Sequence, residues 1–130
     1  TLGARAAEGF ARALAKPPPG LAEKLGVSAD RRVFLLTPLR DAALLAALDG
    51  RTSPTAAEAA LTLAELPEAA VLESLLPALP DLPFWGATAK GRSAFPDAAL
   101  RERMRAAGWI DSKSCAVSAL LTATRYSRRH

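Results

Sequence analysis

Residues 37–79 read TPLRDAALLAALDGRTSPTAAEAALTLAELPEAAVLESLLPAL, three apolar segments in succession, each introduced by a proline. In Thr37-Pro38, Ser53-Pro54 and Leu66-Pro67 the proline stands where a first helical residue would lie, the position at which its missing N–H costs nothing. Thr37 and Ser53 also carry side-chain oxygens able to accept an orphaned N–H of a first turn, and Asp49-Gly50 reads as a helix end followed by a turn. The spacing predicts helices near 38–49, 54–65 and 67–79. Leu72, Leu75, Leu76 and Leu79 fall at i, i+3, i+4 and i+7, a stripe that a helix buries against its neighbours, and Glu68 lies near that helix's N-terminus, where negative charge is favoured. The two earlier segments are apolar almost all round, with only Arg40, Asp41, Glu58, Thr62 and Glu65 interrupting them, as expected of helices at the centre of a bundle or at an interface.

Around this stretch the composition points the same way. Half of the 130 residues are hydrophobic and 23% are charged, enough for one domain with a core and too apolar for wholesale disorder. Aromatics make up only 5% while alanine is abundant, which implies a Leu/Ala core of closely packed helices. Prolines and charges break every apolar run before it reaches membrane-spanning length, so no transmembrane helix is expected. Cys115 is the only cysteine, which rules out an intrachain disulfide and favours a reducing intracellular compartment. The chain opens on Thr1, as a processed N-terminus or a chosen boundary would. The net charge of +4 is unevenly spread: residues 1–40 hold 7 basic and 3 acidic side chains, 41–89 hold 1 and 7, and 90–130 hold 9 and 3.

Towards the N-terminus, residues 1–16 place Ala6, Ala7, Phe10 and Leu14 on one face and Arg5, Glu8 and Arg12 away from it, an amphipathic helix. Lys16 and the Pro-rich connector 17–20 stop it, as a stiff polyproline II spacer. In the next segment Ala22, Gly26, Val27 and Ser28 stand where a small residue, a turn glycine, an apolar residue and a helix-opening residue stand in the helix-turn-helix of bacterial DNA-binding regulators, which Leu21–Ser28 resembles. The resemblance implies nucleic-acid contacts from Ser28, Arg31, Arg32 and Arg40. It departs from the pattern at Arg32, where an apolar residue is wanted and Val33 comes one position late. Val33-Phe34-Leu35-Leu36 fits a short buried strand, but with no second strand pattern to pair with it is taken as loop or short helix.

Beyond Leu79 the spacing predicts a long loop from Pro80 to Pro96. Gly86–Ser93 spells G-x-x-x-x-G-R-S, one residue short of a phosphate-binding loop, yet it lacks the strand before it and the helix after it that such a loop needs. Adjacent Phe84 and Trp85 diverge in any extended conformation, so one can cover the core while the other points outward: either both fold back as a hydrophobic plug over the helices, or the outward ring, with Lys90 and Arg92, forms a basic-rimmed anchor for a protein partner with an acidic surface. Phe95-Pro96-Asp97 opens a helix with Leu100, Met104 and Ala107 inward. Gly108 ends it in a left-handed cap that sets Trp109 against Met104. A last helix, capped by Asp111 or Ser112, buries Val117, Leu120, Leu121 and Thr124.

Chemistry is sparse. The single histidine is His130, Cys115 has no base beside it in sequence, and carboxylates occur singly on helical faces. No catalytic, cofactor-binding or metal-ligating residues are assigned, and no enzyme is expected. The sequence alone therefore gives an all-α protein, residues 1–130 forming a single compact bundle of five to six short, Pro-initiated helices. Its expected role is that of a non-catalytic helical interaction module, a subunit or assembly factor of a larger protein complex, with a DNA- or RNA-binding helix-turn-helix-like domain as the alternative.

Overall fold

In the chain's computed structural model, which describes residues 20–128, the central element is a five-stranded sheet of order β1-β2-β3-β5-β4. The strands are β1 (Val33–Leu35), β2 (Leu61–Glu65), β3 (Phe84–Ala89), β4 (Trp109–Ala116) and β5 (Leu121–Arg128). β1, β2 and β3 run parallel; β5 runs antiparallel to both β3 and β4, with a register shift between Asp111 and Lys113. Helices α1 (Leu21–Leu25), α2 (Ala42–Leu48), α3 (Ala69–Leu75) and α4 (Asp97–Ala106) cover the sheet. The expected N-terminal helix over 1–16 and most of the connector after it lie outside the described residues. Among the described residues no helix is long and apolar enough to cross a membrane.

The all-α bundle expected from the sequence is therefore corrected to a mixed α/β fold, and each error has a physical cause. Residues 54–65 hold a short 3-10 turn at Ala56–Glu58 and then β2. In β2 Leu61 and Leu63 face one core cluster and Ala64 the other, so both faces are buried and the strand reads as a continuous apolar run. Periodicity alone does not separate such a run from a buried helix. Val33–Leu35, taken as loop or short helix, is β1, paired with β2 in register Val33↔Leu61. The supposed last helix is the β4–β5 hairpin: Ala123 faces one cluster, Tyr126 the other, and Leu120 stands 73% exposed at the turn rather than in a buried stripe.

Three of the expected helices exist in shortened form. Asp41, not Thr37, caps α2, its carboxylate accepting the Leu44 N–H at 3.1 Å. α3 continues into a 3-10 turn at Leu76–Ala78, and Leu72 and Leu79 are buried with Leu75 and Leu76 packed against them. α4 buries Leu100 and Met104. It ends at Gly108 with φ +93°, the Gly108 N–H donating to the Arg105 carbonyl at 3.1 Å, and Trp109 and Met104 lie in the same cluster. Gly108→Ala is expected to lower stability by about 1 kcal/mol, because a Cβ is strained in the left-handed region. Urea denaturation checks this, and an unchanged midpoint would contradict the cap.

Two apolar clusters follow, one on each face of the sheet. Leu25 and Val27 with Leu44 and Leu48 of α2 pack on Val33, Leu61, Leu63, Trp85, Ala87 and Ala123. On the other face Leu72 and Leu79 with Leu100 and Met104 of α4 pack on Ala64, Phe84, Trp109 and Tyr126. The helices therefore divide between the two faces, α2 on one and α3 and α4 on the other.

Candidate functional site

The winding of the sheet reverses between β1 and β2. After β1 the chain passes through α2 on the first face and returns to make a parallel bridge from Thr52 to Val33, on the side of β1 away from β2. The bridge is closed by Val33 N–H to the Arg51 carbonyl at 3.0 Å and Ser53 N–H to the Val33 carbonyl at 2.8 Å. The chain then crosses to β2 on the opposite side of β1 and proceeds through α3, on the second face, to β3. Connections leaving neighbouring strands towards opposite faces diverge, and a crevice opens between them at the strands' carboxyl ends.

That crevice is present. It has a volume of about 270 Å³ and is lined by Thr37, Pro38 and Arg40 after β1 and by Glu65, Pro67 and Val71 from the end of β2 to α3. Glu65 is held from several directions. Its backbone N–H donates to Thr37 Oγ1 at 2.9 Å, and its Oε2 accepts the backbone N–H groups of Arg40 and Asp41, each at 2.9 Å. Asp41 in turn accepts the Ser118 hydroxyl through Oδ1 at 3.0 Å, so the β4–β5 turn is tied to the same loop. A smaller hollow of about 110 Å³, lined by Glu65, Leu66, Pro67, Ala87, Ala89 and Leu121, adjoins on the β3 side.

The turn after β1, Leu36-Thr37-Pro38-Leu39-Arg40-Asp41, contains no glycine. Its Arg40 and Asp41 amides, which a phosphate would need, already serve Glu65. This is not a cradle for a nucleotide's phosphates. Gly86–Ser93 is not one either: Gly86 lies inside buried β3, and only Lys90 onward is loop.

The residues singled out in the sequence are scattered. Phe84 and Trp85 do diverge, but each is fully buried, Phe84 against Trp109 and Tyr126 and Trp85 in the opposite cluster, so neither is an outward anchor. Lys90 and Arg92 are exposed in the loop after β3. Ser28 opens no second helix: its Oγ accepts the N–H groups of Asp30 and Arg31 at 3.2 and 3.1 Å in a tight turn that leads to β1. Arg31 and Arg32 bend back onto the carbonyls of Gly26 and Ala29. Of the proposed nucleic-acid contacts only Arg40 lines the crevice. Glu65, Thr37, Pro67 and Val71 were missed as site residues. The signal for them was Glu65-Leu66-Pro67 itself, a carboxylate and a proline closing an apolar run, as at the exit of a buried parallel strand.

A second polar cluster joins α4 to the hairpin. Asp97 accepts from Thr124 Oγ1 and from Arg101 Nε, both at 2.7 Å, and Asp111 accepts from Arg105 Nε at 3.1 Å. Burial pulls the Asp111 carboxyl upward, but the hydrogen bond from Arg105 and the charges of Arg105 and Arg101 outweigh it and leave the group below its ordinary value. Beside them the Tyr126 hydroxyl is buried with no hydrogen-bond partner among the described residues, and burial, with Asp97 nearby, raises it well above the ordinary phenol value. Tyr126→Phe is expected to leave stability unchanged or slightly raised, since it removes a buried polar atom that makes no hydrogen bond. A fall of about 1 kcal/mol or more in denaturant titration would show that the hydroxyl has a partner. Burial also pushes the Cys115 thiol up despite Lys24 and Lys113, which keeps it from acting as a thiolate at neutral pH.

No family model matches the chain, and no curated protein matches it in sequence. Among solved structures it is similar to a ribosomal protein L11 methylase from Lactobacillus delbrueckii subsp. bulgaricus, with a TM-score of 0.43 and 18% identity over 96% of this chain and 77% of that one. The non-catalytic helical interaction module expected from the sequence, and its helix-turn-helix-like alternative, are both corrected here. The all-apolar helix over 54–65, the outward aromatic and the second DNA-reading helix that carried them are a strand, two core residues and a turn. The expectation of no enzyme is corrected too: it rested on a missing nucleophile–base pair and on carboxylates standing singly on helical faces, whereas Glu65 ends a parallel strand and lines the crevice.

Proposed function

We propose that this chain is an enzyme-type α/β domain that binds a compact organic ligand at the carboxyl ends of β1 and β2, with Glu65 and Thr37 as polar contacts and Arg40 at the rim. The observation that carries this reading is the reversal of winding between β1 and β2 with an open crevice at that point, where ligands of open α/β sheets bind. At about 270 Å³ the crevice is smaller than the roughly 300–1,000 Å³ typical of drug-sized ligands, so its occupant is small. Glu65 is fixed through one oxygen by two backbone amides, which leaves the other oxygen to accept a proton or to orient a hydroxyl or amine of the bound molecule. Such a preset carboxylate is the group on which proton abstraction or group transfer at this site would turn.

The test is amide NMR of the full chain titrated with sugars, simple amines, short carboxylates and free amino acids. At least one class is expected to shift the Arg40, Asp41, Glu65 and Val71 signals together, and Glu65→Gln is expected to weaken that binding by about tenfold or more, as loss of a charge-assisted contact does. Shifts confined to other surfaces, or none with any class, would overturn the reading.

A further inference from the structure

Resting on the crevice reading above, we infer that the ligand is a free α-amino acid with an aliphatic side chain, held by its ammonium on Glu65 and by its carboxylate on Arg40 and Thr37. Glu65 Oε2 is saturated by the Arg40 and Asp41 amides, whereas Oε1 has no hydrogen-bond partner among the described residues. Thr37 Oγ1 accepts the Glu65 N–H through one lone pair, and its own proton has no acceptor among those residues. The Arg40 guanidinium, on the same lining, likewise pairs with no carboxylate among them. One unused carboxylate oxygen therefore belongs to the same crevice lining as two unused donors, one of them a guanidinium. Pro38, Pro67 and Val71 supply the rest of the wall, and all three are apolar. A ligand that satisfies each group at once carries a positive donor, a negative acceptor and a short hydrocarbon body. A zwitterionic amino acid has all three. A sugar leaves Arg40 without an anion, and a simple carboxylate leaves Glu65 without a cation.

The test titrates the full chain by amide NMR with L-leucine, with 3-methylbutylamine, which lacks the carboxylate, and with 4-methylpentanoate, which lacks the ammonium. L-Leucine is expected to shift Arg40, Asp41, Glu65 and Val71, and each truncated analogue to bind about tenfold or more weakly, since each loses one charge-assisted contact. Arg40→Ala, an exposed position whose substitution leaves the core intact, is expected to bring L-leucine down to the level of the amine without changing the affinity of the amine. Equal binding of L-leucine and either analogue overturns the inference. If another class of molecule shifts those amides and L-leucine does not, the amino-acid assignment falls while the crevice reading stands. If nothing shifts them, both fall.

Discussion

Trp85→Ala is expected to lower stability by about 3–5 kcal/mol, the range for deleting a large aromatic from a packed core. Trp85 is 0% exposed on β3 and packs in the cluster formed by Leu25, Val27, Leu44, Leu48 and Leu63. Its indole N–H donates to the Leu25 carbonyl at 2.9 Å, a buried bond across 60 residues of sequence. Leu25 is the last residue of a five-residue helix, so this carbonyl is one of the groups the helix cannot satisfy internally. One side chain thus fills the core beneath α1 and α2 and also completes the end of α1. Trp85→Phe separates the two roles. It retains much of the apolar volume but leaves the Leu25 carbonyl without its donor, and about 1–3 kcal/mol of the loss is expected to remain. Urea denaturation of the two variants measures both terms. A loss below about 1 kcal/mol for Trp85→Ala would mean that Trp85 is not in the core, and would revive an exposed role for it.

How much of this was legible in the sequence depends on whether the decisive signal was local. Caps and breaks were local: Gly50 and Gly108 both have positive φ where the sequence places helix ends, and Leu100 and Met104 face inward on α4 as their spacing implies. Strand pairing was not. β1 has only three residues and is a strand because β2 and the Thr52 bridge lie on either side of it, which no window around Val33 reveals. β2 is buried on both faces, so it lacks the alternation that marks a half-exposed strand, and Ala64 together with Ala59 and Ala60 just before it lends the segment helical propensity that tertiary pairing overrides. The hairpin was misread for a different reason. Val117, Leu121 and Thr124 coincide with a helical spacing, while the alternation Ala123, Arg125 and Ser127 against Thr124, Tyr126 and Arg128 runs through the same residues.

The crevice shows the same division. Glu65 was noted only as a charge interrupting an apolar helix, and as a helix residue it would have been one solvated carboxylate among several. Its role comes from lying at the end of a parallel strand, 24 residues in sequence from the Asp41 amide that it accepts. The aromatic pair fared better in its geometry than in its consequence. Phe84 and Trp85 do point to opposite sides, but in a sheet covered on both faces opposite sides are both interior.

Gly86→Ala is expected to cost about 1–3 kcal/mol and Gly86→Val more, although a substitution from glycine within a strand ordinarily favours the strand. A Cβ at Gly86 would stand 2.8 Å from Leu100 Cδ2, 3.1 Å from Leu66 Cδ1 and 3.5 Å from Phe84 Cε2. The nearest atom is the tip of a side chain, which in an open place would swing aside at little cost. Leu100 is 0% exposed and belongs to the cluster with Leu72, Met104 and Tyr126, so it yields only by pushing α4 away from the sheet. The glycine therefore sets how closely α4 approaches β3, and through Asp97 and Thr124 how the helix meets the hairpin. A double-mutant cycle tests this cause rather than the bare loss. Leu100→Ala alone removes core volume and is expected to cost about 2–5 kcal/mol, but it also vacates the space that the new methyl needs. Gly86→Ala with Leu100→Ala should then cost less than the sum of the single changes, by about 1 kcal/mol or more. Strictly additive losses, or a Gly86→Ala protein as stable as the parent, would place α4 farther from β3 than the contact between Leu100 and Gly86 requires.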